Sequence, residues 1–377
     1  MLVLGHLIDL VALLPQTPSM NQFNFREIDD IKGIAQALGC EVSFLQTVLD
    51  RPSGFYRLIR LYKRRRPEPR IVYEVDSDLS NLHKNILTSI TAEVKFPECV
   101  QGFVPKRSIV TNASLHLGRK YVLNLDIKDF FDSINVGRIT QVFATLGCNH
   151  TVAIIFAQLC TLNECLVQGA NTSPILANLV CSDLDEQLIT LGDEYGSSYS
   201  RYADDITFSG DIPPPTKKIY KCIKSYGFRL NPDKQKWQLR GRQQYVTGLT
   251  VFDKVMPRIP KKIKKQLRQA LYYIDKYGLE SHIEKVNDQQ ERGRASWIDG
   301  LIAFTYSVEP EQAYKLDIAW QAILTKEEDL LTSRRDPSKL IRKWRSSQNI
   351  NHPNIASLGT QKTGGNSDAS YSVDLFQ

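Results

Sequence analysis

Tyr199-Ser200-Arg201-Tyr202-Ala203-Asp204-Asp205-Ile206-Thr207-Phe208-Ser209 reads as two short strands interrupted by a pair of acids. Neighbouring side chains of an extended chain point to opposite faces and like charges repel, so a strand-rich core gains nothing from adjacent aspartates. At the tip of a tight hairpin the same carboxylates can reach divalent cations, which a nucleoside triphosphate also binds. A solvated Asp-Asp surface turn is the plainer alternative, and four residues alone do not choose between the two.

Upstream, Tyr121-Val122-Leu123-Asn124-Leu125-Asp126-Ile127-Lys128-Asp129-Phe130-Phe131-Asp132 is a hydrophobic strand that ends in an acid and continues into a turn. It offers a third carboxylate, Asp126, at a strand end. Between the two segments, Gln168-Gly169-Ala170-Asn171-Thr172-Ser173-Pro174-Ile175-Leu176 is a glycine-bearing loop running into an apolar helix. Acid strand, Gln-Gly loop with helix, then Asp-Asp hairpin is the order of a template-directed polymerase palm. That chemistry needs two magnesium ions roughly 3.5–4 Å apart, held by carboxylates. On this reading Asp126 and Asp204 bind both ions, Asp205 supports them, and Ile127 is counted with the metal-holding residues. The expected fold is α+β, a right-hand arrangement of fingers, a palm with an antiparallel sheet and the Tyr-Ala-Asp-Asp hairpin, and a helical thumb.

This ordered set resembles reverse transcriptases. Two further elements narrow the resemblance to the bacterial retron branch: Asn112-Ala113-Ser114-Leu115-His116, matching its Asn-Ala-x-x-His element, and Val246-Thr247-Gly248, matching its Val-Thr-Gly element. The similarity covers approximately residues 25 to 325. It implies an RNA-directed DNA polymerase that uses dNTPs and copies part of a cognate structured non-coding RNA. Priming from an internal RNA 2′-hydroxyl would leave the single-stranded DNA linked to that RNA. It also implies a role in phage defence with an effector protein encoded nearby.

The resemblance carries residue roles as well. Phe131 stands where the family places an aromatic ring under the sugar of the incoming nucleotide, leaving no room for a 2′-hydroxyl. Consecutive Phe130 and Phe131 face opposite ways, so one of the two is a core aromatic. Lys63-Arg64-Arg65-Arg66-Pro67-Glu68-Pro69-Arg70 packs five basic residues into eight positions. Alone it is a solvated charge run. In the family's fingers it serves RNA backbone and triphosphate, with Arg70 gripping phosphate as a guanidinium can. Gln168 lines the nucleotide pocket, and Gly169 lets backbone approach it. The family's usual proline after Gln-Gly-Ala is Asn171 here, which bears on fine positioning of the loop. Lys234, in Asn231-Pro232-Asp233-Lys234, falls near the departing pyrophosphate, as stabiliser or proton donor. Asn112, His116, Val246, Thr247 and Gly248 would recognise RNA, although a satisfied structural role is the physically simpler one for His116. Lys261, Lys262 and Lys265 would track duplex phosphates from the thumb.

The chain has 377 residues, 42% hydrophobic, with a formal charge of +7. That length exceeds the size at which single cores split into subdomains, and the charge points mildly to a polyanion. Seven cysteines without a Cys-x-x-Cys pair suit buried thiols in a reducing cytoplasm, and no zinc, metalloprotease or Gly-x-Ser-x-Gly hydrolase pattern is present. Residues 1–15 are apolar but carry His6 and Asp9 and are too short to span a bilayer, so an amphipathic helix is expected and no membrane partner. The family-like sequence begins later, which allows a start at Met20.

The organisation expected is an N-terminal helical segment (1–50), fingers (51–101), palm with finger elements (102–251), helical thumb (252–330) and a flexible C-terminal extension (331–377). Helices are expected around Ile28–Val48 with a break near Gly39, over Leu79–Thr91 and Asn135–Leu146, through Cys160, over Ser173–Leu191, and from Lys261 onward in three stretches to Leu324. The tail from Ser346 is rich in Ser, Asn, Gly and Gln; any partner contact there would rest on Tyr371 to Phe376. Two rival readings stay open. An intron-associated or diversity-generating reverse transcriptase leaves Asn112–His116 unexplained and lacks a following maturase or endonuclease domain. A catalytically silent RNA-binding scaffold has no use for all three carboxylates.

Overall fold

Asp30 opens the first regular element: its carboxylate accepts the Gly33 N–H (2.8 Å), capping α1 (Ile31–Leu38). Gly39, at φ +70°, closes it in the left-handed conformation that glycine adopts without strain, and α2 (Val42–Asp50) follows. The computed structural model describes residues 22–62, 68–279, 281–282 and 295–326. Residues 1–21, Lys63–Arg66 of the basic run and the tail beyond 326 lie outside the described residues. The chain divides into a unit of Met1–Trp320 and a second of Gln321–Gln377, of which only residues 321–326 are described.

Next come β1 (Tyr56–Leu61) and β2 (Arg70–Val75), paired antiparallel from Tyr56↔Val75 to Leu61↔Arg70. Then follow α3 (Ser77–Glu93), which contains the helix expected over Leu79–Thr91, and α4 (Ile109–Ser114), begun by a Ser108/Thr111 capping box. β3 (Tyr121–Asp126) leads to α5 (Val136–Thr145) and α6 (His150–Leu159), each capped by an asparagine, Asn135 and Asn149. The helix expected over Ser173–Leu191 is two helices, α7 (Ser173–Val180) and α8 (Ser182–Glu194). At Cys181 the backbone N–H is shared between the Ala177 and Asn178 carbonyls, a tightening that breaks the run without any glycine or proline to announce it.

β4 (Ser197–Tyr202) and β5 (Asp205–Gly210) form a hairpin, α9 (Thr216–Ser225) packs against α8, and β6 (Lys236–Leu239) completes a four-stranded antiparallel sheet in the order β4-β5-β3-β6. A short hairpin, β7 (Tyr245–Val246) and β8 (Leu249–Thr250), precedes α10 (Lys261–Tyr277), α11 (Ala295–Val308) and α12 (Pro310–Lys326). β3 is buried on both faces, which is why it reads as a near-continuous hydrophobic run. Tyr121, Leu123 and Leu125 join the main core with Phe143, Phe156, Ile206 and Phe208, while Val122 packs against Val246, Leu249 and Val251. The strand ends bearing the acids are thus held between helices on one side and the β7–β8 hairpin on the other. Among the described residues no helix is long and apolar enough to cross a membrane.

Candidate active site

The β4–β5 hairpin turns over two residues, Ala203 and Asp204, with Tyr202 paired to Asp205. Ala203 sits at φ +57°, in the left-handed region, so the turn is held by its neighbours rather than by its own preference. The neighbours are backbone. A Cβ at Gly102 would lie 2.4 Å from the Ala203 nitrogen, so the segment before α4 rests directly on the turn. The Gln101 N–H donates to the Arg201 carbonyl (2.8 Å), and the Ile127 N–H donates to the Asp204 carbonyl (2.9 Å).

Register brings the third acid in. Asp126, the last residue of β3, lies directly opposite Asp205. The chain therefore brings Asp126, Ile127, Asp204 and Asp205 to one end of the sheet. Lys234 joins them: the Asn231 N–H donates to the Asp126 carbonyl (2.8 Å), and the Lys234 ammonium pairs with the Asp126 carboxylate at 2.5 Å.

The electrostatics of this end are those of surplus negative charge. Burial and the Asp126 carboxylate push Asp204 up from the ordinary carboxylate range. Burial, then Asp204 and Asp126, push Asp205 up to about 7, against opposing pulls from Lys234 and Lys236. The Asp205 side chain is open to solvent, which softens desolvation and leaves the repulsion between carboxylates as the larger effect. A bound cation removes that repulsion. Three carboxylates make a hard oxygen donor set suited to a divalent ion such as Mg²⁺ or Mn²⁺. Among the described residues no three acids, histidines or cysteines are drawn together into a ready metal cage, and in this structure the Lys234 ammonium supplies the positive charge beside Asp126.

Beneath the turn lies a buried ion pair between Arg201 and Asp185. Arg201, within β4, donates to both Asp185 oxygens (2.8 and 2.6 Å), and both side chains are wholly buried. Its other terminal nitrogen, Nη1, donates to the Asn178 side-chain oxygen (2.9 Å) and the Ala203 carbonyl (3.3 Å). The Tyr199 hydroxyl donates to Asp185 (2.6 Å), and the Asn178 amide donates to the Gly102 carbonyl (2.9 Å). α7, α8, the Gly102 segment and the acidic turn are thereby locked together. The available signal was an arginine inside an otherwise uncharged strand.

Arg70, Gln168 and Gly169 also meet. The Arg70 Nε–H donates to the Gln168 side-chain oxygen, and the Tyr73 N–H donates to the Gln168 carbonyl (2.7 Å). A Cβ at Gly169, where φ is +117°, would lie 1.9 Å from the Tyr73 carbonyl oxygen. Gly169→Ala is therefore expected to separate β2 from this loop and lower stability by roughly 2 kcal/mol or more, read from the shift in urea midpoint at constant slope. An unchanged midpoint would show that the loop yields freely. Asn171, in place of the family's proline, donates to the Ser80 hydroxyl (2.9 Å) and so ties the loop to α3 by a different means.

Phe130 is the core aromatic of its pair, packed toward Phe228, whereas Phe131 is half-buried beside Phe103 (centroids 6.2 Å apart). Lys261, Lys262 and Lys265 are exposed in the first turns of α10. The expectation of RNA contacts at Asn112, His116 and Val246 is corrected: these residues are 1%, 0% and 0% exposed, and a side chain sealed in the core reaches no RNA. Thr247 and Gly248 are partly exposed at the tip between β7 and β8.

Burial lowers the His116 pKa to about 3 and that of His83 to about 4. The unfolded chain takes up these protons near pH 6.5 and the folded chain does not. Stability is therefore full above pH 6.5 and falls with pH down to about 4, by on the order of 1 kcal/mol per pH unit for each histidine. Urea midpoints across that window are expected to fall, with a shallower slope in His83→Gln; an identical slope would assign the loss to other groups.

Comparison with known proteins places the chain among characterised relatives. The family described as "Reverse transcriptase (RNA-dependent DNA polymerase)" matches residues 63–251. The chain is 32% identical over 333 residues to the Retron Mx65 reverse transcriptase of Myxococcus xanthus, covering 82% of this chain and 75% of that one. It is 29% identical over 278 residues to the Retron Ec86 reverse transcriptase of Escherichia coli (71% and 86%). With the Retron Mx162 reverse transcriptase of Myxococcus xanthus it shares 27% identity over 323 residues (75% and 65%).

Proposed function

Because the chain belongs to the reverse transcriptase family, in its retron branch, and is an RNA-directed DNA polymerase of that kind, we propose that Asp126, Asp204 and Asp205 are its reaction centre. The four-stranded sheet with its acidic hairpin corresponds to a palm, β1–β2 to fingers and the helices from α10 onward to a thumb. The observation that carries this reading is the β3–β5 register, which sets Asp126 against Asp205 across from the Asp204 turn.

Asp126, Asp204, Asp205 and the Ile127 carbonyl would hold two Mg²⁺ ions, which supply a lowered pKa at the primer hydroxyl and positive charge for the leaving pyrophosphate. The aspartates orient the primer end in line with the α-phosphorus. Arg70, steered by Gln168, grips triphosphate oxygens, and Lys234 moves from Asp126 toward the departing pyrophosphate. Gly169 keeps β2 close enough for Arg70 to reach. Thr247, Gly248 and the lysines of α10 seat the nucleic-acid strands. The template is a cognate structured RNA whose DNA copy stays linked to it, in a cytoplasmic antiphage system with an effector protein encoded nearby.

With poly(rA)·oligo(dT) and dTTP, the full chain is expected to extend the primer in Mg²⁺ or Mn²⁺ and to stop in EDTA. Extension that persists in EDTA, or none with any divalent cation, overturns the reading. Phe131→Val is expected to raise incorporation of UTP relative to dTTP by roughly ten- to a hundredfold, the range over which a pocket rejects one added group by shape. An unchanged ratio would remove Phe131 from sugar selection. Sequencing the RNA that co-purifies, and finding it joined to DNA, tests the retron product.

A further inference from the structure

The tip between β7 and β8 carries two consecutive residues in the left-handed region, Thr247 (φ +44°) and Gly248 (φ +86°). Glycine adopts this freely, whereas a β-branched threonine is an outlier there and needs outside support. The support is a hydrogen-bonded chain. The Thr247 hydroxyl donates to the Ile109 carbonyl (3.1 Å) and accepts from the Asn112 amide (3.4 Å). The Asn112 oxygen accepts from the Ser200 hydroxyl (2.7 Å). His116 Nε2 lies 2.7 Å from that hydroxyl, and His116 Nδ1 lies 2.7 Å from the Ser209 hydroxyl.

One hydroxyl has one proton, so the directions follow. Ser200 gives its proton to Asn112, His116 must then donate from Nε2, and its Nδ1 accepts from Ser209. Burial keeps the imidazole neutral, as this arrangement requires. The chain has one other self-consistent polarity: Asn112 flips its amide, His116 shifts its proton to Nδ1, and the Thr247 hydroxyl turns from Ile109 to Asn112. A set of groups with two discrete arrangements is what allows one site to bias another.

Both ends of this chain matter. Thr247 is at the surface, whereas Ser200 lies in β4 and Ser209 in β5, the two strands that meet in the Ala203–Asp204 turn. A second connection runs beside the first: the Asn124 amide donates to the Tyr245 carbonyl (2.8 Å) from two residues before Asp126. The β7–β8 hairpin is thus bonded directly to β3 and, through Asn112 and His116, linked to β4 and β5.

We propose that Thr247, Asn112, Ser200, His116 and Ser209 are positioning residues: a nucleic-acid strand seated on the Thr247–Gly248 turn sets the polarity of this chain and, through β4 and β5, the placement of Asp204 and Asp205. This rests on the assignment of the reaction to Asp126, Asp204 and Asp205. Bond-making at those carboxylates is then fastest when the turn is loaded.

Single-turnover extension of poly(rA)·oligo(dT) by the full chain tests it, with wild type, Thr247→Ser, Thr247→Val, Ser200→Ala and the double variant Thr247→Val/Ser200→Ala. Thr247→Val is expected to lower the maximal rate about tenfold, the worth of one hydrogen bond realised at the transition state. The affinity for dTTP stays within about twofold, as for a group that does not bind it directly, and the loss of rate persists at saturating primer–template. Thr247→Ser restores the rate, and the double variant is no slower than the slower single one. A wild-type maximal rate in Thr247→Val, a loss confined to affinity, or effects that multiply in the double variant would each overturn the proposal. Should Ser200→Ala fail to fold, the two surface Thr247 variants still decide through rate and rescue. Failure of the underlying assignment reads differently, as extension that survives Asp204→Asn.

Discussion

Asparagine in place of Asp204 is expected to lower primer extension by roughly a thousandfold or more, because the ion-mediated stabilisation it removes is worth several kcal/mol and each 1.4 kcal/mol is tenfold. The protein itself is expected to gain stability. Without bound ions, Asp204 and Asp205 are both pushed up by burial and by neighbouring carboxylates, so the folded state resists carrying these charges together. A group whose pKa rises on folding loses stability as pH climbs from its unfolded value through its folded one, here between about 4 and 7 for Asp205. Asparagine is isosteric and uncharged, so it relieves that repulsion at neutral pH. A Asp204→Asn protein with a higher melting temperature in EDTA and no measurable extension fits the account. A variant that extends at more than about a tenth of the wild-type rate does not, since that loss is little more than one ordinary hydrogen bond.

Asp185→Ala is expected to have the largest effect on folding. It leaves the Arg201 guanidinium wholly buried with its main counter-charge gone, and such a loss costs about 3–5 kcal/mol, a large part of the stability of most domains. The Tyr199 hydroxyl loses its acceptor in the same step. Urea unfolding followed by circular dichroism is expected to show a midpoint far below wild type, or a chain already unfolded in buffer. The double replacement Asp185→Leu/Arg201→Met removes both charges and fills similar volume. It is expected to recover most of the loss, because burying an ion pair gains little over a well-packed apolar pair. If Asp185→Ala unfolds like wild type, the pair is not what fastens the acidic turn to α7 and α8.

The acids themselves were legible because Asp204 and Asp205 violate strand patterning so openly, and because Asp126 closes a strand of the right composition. Their pairing across β3 and β5 depends on register, which the alternation of Tyr121, Leu123 and Leu125 toward one core constrains. Other features were not accessible to local reading. The break at Cys181 between α7 and α8 is made by a shared hydrogen bond and not by a breaker residue. For Asn112 and His116 the resemblance implied RNA contacts, with a satisfied structural role the simpler one for His116. Their partners, Ser200, Ser209 and Thr247, lie far away in sequence, and only the fold shows that the polarity is satisfied internally. Arg201 and Asp185 are 16 residues apart, and nothing in either segment names the other. Local chemistry thus announced the reactive groups, while the scaffold that orients them is built from long-range pairs.

The most direct measurement is anomalous scattering from crystals of the full chain grown with poly(rA)·oligo(dT), a non-hydrolysable dTTP analogue and Mn²⁺. The account predicts two manganese peaks roughly 3.5–4 Å apart, coordinated by Asp126, Asp204 and Asp205 with the triphosphate completing the shell. Manganese bound elsewhere, or a triphosphate seated away from these carboxylates, would contradict it.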